Sequence, residues 1–156
     1  MIISDIILTQ SVAIMEYIND TNPKSGLIPG DPVTAAKVRM VTEIICSGIQ
    51  PIQNLAVMNH HSAETAERQA WPRHWITAGF VALEKTLART AGSCCVGDTP
   101  TMADCCLVPQ VFNAKRFSVD MTKFPIISRL EQHLSSLPQF IKAHPTQQPD
   151  CPEELK

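Results

Sequence analysis

Residues 2–8, Ile-Ile-Ser-Asp-Ile-Ile-Leu, are dominated by β-branched side chains and predict the stub of a strand or hairpin. So short an extended piece is not stable without a sheet around it, and the chain is therefore expected to begin in the middle of a larger unit. From Ser11 to Asn19 the period changes: Ala13, Ile14, Tyr17 and Ile18 recur at helical spacing. Asn22-Pro23-Lys24-Ser25-Gly26 stops that helix, and residues 23–31 read as an inter-domain linker. Asp31-Pro32 restarts a helix with an acidic N-cap and proline at the first helical position. Along it Ala35, Val38, Val41, Ile44, Ile45, Ile49 and Ile52 track one face. Arg39 and Glu43 form an i,i+4 pair there, and Gly48 and Pro51 are expected to bend the helix.

A third helix is predicted from Ala66 to Thr90, with Trp75, Phe80, Leu83 and Leu87 inward and Gly92 as its stop. A fourth opens at Thr101. Pro125 opens a fifth carrying Ile127, Leu130 and Leu134, and Pro138 a short last one carrying Phe140 and Ile141. The tail, Pro145 to Lys156, is proline-rich and polar and predicts an extended wrap or a loose end. The resulting division is a strand and helix over 1–22, a linker over 23–31, an all-helical bundle over 32–144 and an extended tail over 145–156.

A chain of 156 residues is long enough to bury a core as one domain. Its net charge of −2 gives no electrostatic reason to expect nucleic acid or an anionic membrane as partner. No basic leader opens the sequence, and no apolar stretch approaches ~18 uninterrupted residues. The expected setting is intracellular, the cytoplasm first and mitochondria second. Six cysteines, two pairs of them adjacent, show no Cys-x-x-Cys or Cys/His spacing for a metal and read as reduced thiols. Cys105 and Cys106 lie in an apolar helix and should be inert unless a nearby cation lowers their pKa. His60-His61 lacks the H-E-x-x-H pattern and reads as a helix end or solvent-facing pair. His74, Trp71 and Trp75 read as packing and surface residues.

Candidate chemistry concentrates in a few places. Thr101 and Asp104 have capping-box spacing, with Asp in place of Glu. The Thr101 hydroxyl can accept from the Asp104 N–H while the carboxylate reaches back to the Thr101 N–H. The apolar residues that follow put this helix in the middle of the bundle. Ser11 taken alone is a helix N-cap. Gln50 and Asn54, four apart, share a helix face and taken alone are solvated polar residues. Arg116 taken alone is a cation favoured by a helix C-terminus, a role that Lys115 fits better.

Three runs occur in order: Gln10-Ser11-x-Ala13-Ile14-x-Glu16-Tyr17, then Gly48-Ile49-Gln50-Pro51-x-Gln53-Asn54-Leu55, then Cys106-Leu107-Val108-Pro109-Gln110-Val111-x-Asn113-Ala114-x-Arg116-Phe117. His144-Pro145 and Gln148-Pro149-Asp150 follow. Together they resemble the zeta-class glutathione transferases, the family of maleylacetoacetate isomerases, over nearly the whole chain. The resemblance implies a mainly α fold: a helical bundle of the glutathione-transferase C-terminal type, preceded by a strand-plus-helix remnant of a thioredoxin-like, glutathione-binding domain. It implies glutathione as cofactor and a small dicarboxylic keto acid as substrate. The implied reaction is cis–trans isomerisation of maleylacetoacetate to fumarylacetoacetate in phenylalanine and tyrosine catabolism, with glutathione transferase activity beside it.

By the same resemblance, Gln10 and Ser11 hold the γ-glutamyl end of glutathione, and Gln50, Asn54, Leu55 and Ala56 contact glutathione or its surroundings. Arg116 anchors a substrate carboxylate, for which a guanidinium offers two parallel donors. The family often carries serine at the position of Ala56, so a hydroxyl contact is missing here. The family's Ser-Ser-Cys-type run and its cis-proline loop have no counterpart in the sequence, so no catalytic residue is assigned to thiol activation. The chain alone is accordingly expected to be inactive, and the family's homodimer is a weaker expectation for it. The alternative is a non-catalytic helical binding or interaction module derived from a glutathione transferase. A third reading, a broader transferase or haloacid dehalogenase, differs only in substrate.

Overall fold

The protein is described here by a computed structural model covering residues 1–155. β1 (Ile2–Ile3) and β2 (Ile6–Ile7) form an antiparallel hairpin with Ile2 opposite Ile7, turned by Ser4 at φ 51°. The helices are α1 (Ser11–Thr21), α2 (Pro32–Cys46), α3 (Leu55–His61), α4 (Thr65–Thr90), α5 (Met102–Arg116), α6 (Pro125–Ser135) and α7 (Pro138–Ala143). Short 3-10 turns stand at Pro23–Ser25, Gln50–Gln53, Met121–Lys123, Pro145–Gln147 and Glu153–Leu155.

The core lies where α2, α4, α5 and α6 meet. Val38, Val41 and Ile45 of α2 pack with Ile76, Phe80, Leu83 and Leu87 of α4. Met102, Leu107 and Val111 of α5 and Ile127, Leu130 and Leu134 of α6 complete it, all fully buried. Each helix starts where local chemistry favours a start. The Asp31 carboxylate accepts from the Thr34 N–H at 2.8 Å, and Pro32 fills the first helical position, where a missing N–H costs nothing. The start of α6 uses a remote cap: Glu84 on α4 accepts from the N–H groups of Ile126 (2.7 Å) and Ile127 (3.0 Å). The segment between α1 and α2 is not a bare connection. Leu27 and Ile28 pack on the core, the Ile28 N–H donates to Asn19 Oδ1 at 3.0 Å, and the Leu27 carbonyl accepts from the Met102 N–H at 3.0 Å.

Several expectations are corrected. The second helix ends at Cys46 rather than running on through Ile52. Ile49 is buried beyond its end, and the chain then makes a 3-10 turn and a separate helix, α3. Ile49 and Ile52 mimic the α2 stripe in sequence, but Pro51 has no N–H to continue an α-helical ladder and sits in the 3-10 turn. Arg39 pairs with Glu16 of α1 at 2.8 Å instead of with Glu43, which accepts from Ser47. Trp75 is exposed, and Ile76 takes the inward position. The tail carries two 3-10 turns in place of a plain extended wrap.

Gly92 is a special residue, though not as a left-handed helix stop. The helix closes through Ala91 in extended conformation, and Gly97 is the left-handed residue of the loop, at φ 69°. Gly92 lies against the returning backbone: a Cβ there would contact Asp98 Oδ1 and stand 2.6 Å from the Gly97 carbonyl oxygen. Gly92→Ala should therefore destabilise by about 2 kcal/mol, the scale of overpacking against a backbone that cannot yield. Thermal unfolding checks this, and an unchanged midpoint would show that the loop relaxes freely.

Candidate functional site

The N-terminus of α5 is held by one buried carboxylate. Asp104 Oδ2 accepts from the Thr101 N–H at 2.7 Å and from the Thr101 hydroxyl at 3.0 Å, and both arms of the capping box are present. Its other oxygen accepts from the Cys95 N–H at 2.7 Å, tying the loop after α4 to the start of α5. This is an architectural cluster. Burial first, then the Asp104 carboxylate, pushes the Cys95 thiol far up and the Cys94 thiol to about 11, so both stay protonated at neutral pH.

One helical span further on, α5 captures the turn that precedes α3. Gln110, buried in the middle of the helix, exchanges hydrogen bonds with Gln53. The Gln53 amide donates to Gln110 Oε1 at 2.6 Å, and the Gln110 amide donates back at 3.4 Å. Asn113, one turn later, donates to the same Gln53 Oε1 at 2.8 Å. On the other side, Trp71 Nε1 of α4 donates to the Ile52 carbonyl at 2.9 Å. Residues 50–54 are thus fixed between α4 and α5, against the face of α5 that leads to Arg116 three residues beyond Asn113.

Arg116 is exposed at the C-terminus of α5. Its guanidinium stands 5.7 Å from the centroid of the Phe117 ring, and among the described residues it has no ion pair. The helix-end duties fall to its neighbours. Arg73 of α4 donates to the Phe117 carbonyl at 2.9 Å, and Lys115 pairs with Glu131 of α6 at 2.9 Å.

Gln50 and Asn54 do not share an α-helix face, which corrects the expectation from their spacing. Gln50 opens the 3-10 turn and is half-buried, while Asn54 closes it and caps α3, its Oδ1 accepting from the Ala56 N–H at 2.9 Å. The structure still brings the two onto one short segment, with Leu55 and Ala56 exposed directly after it. Gln10 and Ser11 stand elsewhere. Gln10, not Ser11, is the N-cap residue of α1, at φ 68° and ψ 117°, with no side-chain cap bond; Ser11 is the first helical residue. A non-glycine residue at such a φ costs roughly 1–3 kcal/mol and concentrates at ligand-holding positions. The first intrahelical bond runs from the Ile14 N–H to the Gln10 carbonyl, leaving the N–H groups of the first turn directed out of the helix. Among the described residues no hydrogen bond or ion pair links Gln10 or Ser11 to Gln50, Asn54 or Arg116.

Reading the sequence residue by residue misses the holders: Gln53, Gln110, Asn113, Trp71 and Arg73. A polar Gln110 among apolar neighbours was the available signal, since a buried amide must find a partner. Gln53→Ala leaves the Gln110 amide buried without one, a loss of about 2 kcal/mol. It should also speed hydrogen exchange through residues 50–58. Exchange unchanged there, with stability unchanged, would mean the clamp is not what orders the segment.

No helix among the described residues is long and apolar enough to cross a membrane, and none of their His, Cys, Asp and Glu groups is placed to hold a metal. No protein-family model matches the chain. Its similarity to known proteins is nonetheless extensive. It is 49% identical over 154 residues to the mouse maleylacetoacetate isomerase, covering 99% of this chain and 70% of the mouse protein. A probable maleylacetoacetate isomerase 2 of Drosophila melanogaster is 56% identical over 148 residues. That match covers 95% of this chain, which spans 64% of the fly protein's length. The crystal structure of the maleylacetoacetate isomerase of Anaeromyxobacter dehalogenans superimposes with a TM-score of 0.90 at 39% identity, over 94% of this chain and 67% of the bacterial one. That enzyme holds dicarboxyethyl glutathione and citrate in its active site. The arrangement of helices is that of the glutathione transferases. Within them, the chain belongs to the zeta class, the maleylacetoacetate isomerase family.

Proposed function

We propose that this chain serves the glutathione-dependent cis–trans isomerisation of maleylacetoacetate to fumarylacetoacetate, a step of phenylalanine and tyrosine catabolism, with glutathione transferase activity beside it. The observation that carries the reading is the Gln53–Gln110–Asn113 clamp, which holds residues 50–54 against α5, the helix that ends in an Arg116 with no ion pair among the described residues. Bound glutathione supplies a thiol whose reversible addition turns the substrate's double bond into a single bond free to rotate. The residues present fit such a ligand. The outward N–H groups at the start of α1 suit a carboxylate, and the side-chain amides of Asn54 and Gln50 can donate to peptide carbonyls. In this reading Gln10 and Ser11 hold the γ-glutamyl end, residues 50–56 line the peptide, and Arg116 receives a carboxylate of a small dicarboxylic keto acid.

The same reading assigns residues 1–22 to the glutathione-binding unit, 23–31 to the connection, 32–144 to the helical unit that shapes the substrate site and 145–156 to the tail. The setting is the cytoplasm. Calorimetric titration of the chain with glutathione and with dicarboxyethyl glutathione tests the proposal. Binding of both, tighter for the dicarboxylate, is the expected result; binding of neither overturns it in favour of a helical interaction module. Glutathione-dependent conversion of maleylacetone then tells whether the chain also turns substrate over.

A further inference from the structure

Cys46 lies in the last turn of α2 and Cys106 near the start of α5, 60 residues apart in sequence, and their sulfurs stand 3.4 Å from one another. Neither belongs to the candidate ligand site. A disulfide needs the sulfurs at roughly 2.05 Å, so closing the pair takes a shift of about 1.4 Å, within reach of side-chain rotation on two helices already packed together. Access is graded in a useful order: Cys46 is half-buried, whereas Cys106 is 4% exposed.

We propose that Cys46 and Cys106 form a thiol–disulfide exchange site for low-molecular-weight disulfides, Cys46 attacking and Cys106 resolving. The Cys46 thiolate attacks one sulfur of the incoming disulfide, forming a mixed disulfide and expelling the first small thiolate. Cys106 then loses its proton to solvent and attacks Cys46 Sγ, closing the protein disulfide and expelling the second. Two protein thiols are oxidised and one small disulfide is reduced to two thiols, so no further oxidant is required.

The order of events follows from access, since Cys46 is half-buried and Cys106 almost fully buried, and the pair's own interaction points the same way. The hydrogen bond shared with Cys106 holds the Cys46 thiol below its ordinary range, against the opposing effects of burial and Glu43. The same bond, then burial, then the Cys46 charge hold Cys106 far above its own. Once Cys46 is capped as a mixed disulfide, its charge is gone and two of the causes that keep Cys106 protonated go with it. The closed bond would join the end of α2, four residues before Gln50, to α5 one turn before Gln110, reinforcing covalently the segment that the Gln53 clamp already fixes.

The test is incubation of the reduced full chain with glutathione disulfide, acid quenching, and peptide mapping with fragmentation. The expected product has a single Cys46–Cys106 link and persists in Cys105→Ser. Cys106→Ser should stop at a glutathione mixed disulfide on Cys46, and Cys46→Ser should leave Cys106 reduced. A Cys46–Cys105 link overturns the proposal. So does glutathione held only on the exposed Cys105 or on Cys151 with Cys46 reduced, or a wild-type chain that stops at the Cys46 mixed disulfide.

Discussion

Asp104→Ala lowers the unfolding free energy by about 4 kcal/mol, because two buried backbone N–H groups lose their acceptor at roughly 1–3 kcal/mol each. Those donors belong to Cys95 and Thr101, both almost without exposure, and among the described residues no other acceptor stands on them. The Thr101 hydroxyl loses the carboxylate it donates to as well. For a domain whose whole stability is of order 5–15 kcal/mol this is a large fraction. Urea titration is the measurement. Asp104→Asn should recover about half of the loss, since one amide oxygen still accepts while the amide hydrogens oppose the remaining donor. A loss below about 1 kcal/mol for the alanine variant would mean that water enters and takes over both bonds.

The same residue shows how the fold was legible. Capping chemistry is local, so Asp31-Pro32, Thr101–Asp104, Pro125 and Pro138 mark helix starts from sequence alone, and the structure has helices at each. What spacing cannot carry is a choice between partners. Arg39 has Glu43 four residues away, yet bonds Glu16, 23 residues back on α1. The α6 N-terminus draws its acceptor from Glu84, which no local rule names. Periodicity also fails where two elements continue one stripe. Ile45, Ile49 and Ile52 keep helical spacing across the end of α2, although the chain has already turned after Cys46. For the candidate site, motif resemblance points to Gln50, Asn54 and Arg116, whereas the holders Gln53, Gln110 and Asn113 lie inside the same motifs with nothing local to mark their task. Their part is a packing fact: it exists only once α5 and the 3-10 turn are side by side.

Arg116→Ala should weaken dicarboxyethyl glutathione about 100-fold while leaving plain glutathione unchanged. The size follows from charge-assisted hydrogen bonds, worth roughly 1.5–3 kcal/mol, and a tenfold change for every 1.4 kcal/mol. The selectivity follows from position. The two ligands share the peptide that Gln10, Ser11 and residues 50–56 are proposed to hold, and differ at the sulfur, where one carries the dicarboxyethyl group whose carboxylates are proposed to reach Arg116. The fold should be untouched, because the guanidinium makes no ion pair among the described residues and Arg73, not Arg116, donates to the Phe117 carbonyl. Arg116→Lys keeps the charge but not the fork of donors, and should recover only part of the lost affinity. Ser11→Ala gives the contrasting pattern, weakening both ligands by the same factor, since its proposed contact is to the glutamyl end they have in common. Calorimetry on the three variants separates these cases. Equal weakening of both ligands by Arg116→Ala would mean that the arginine acts on the peptide or on the fold, and the carboxylate assignment would fall.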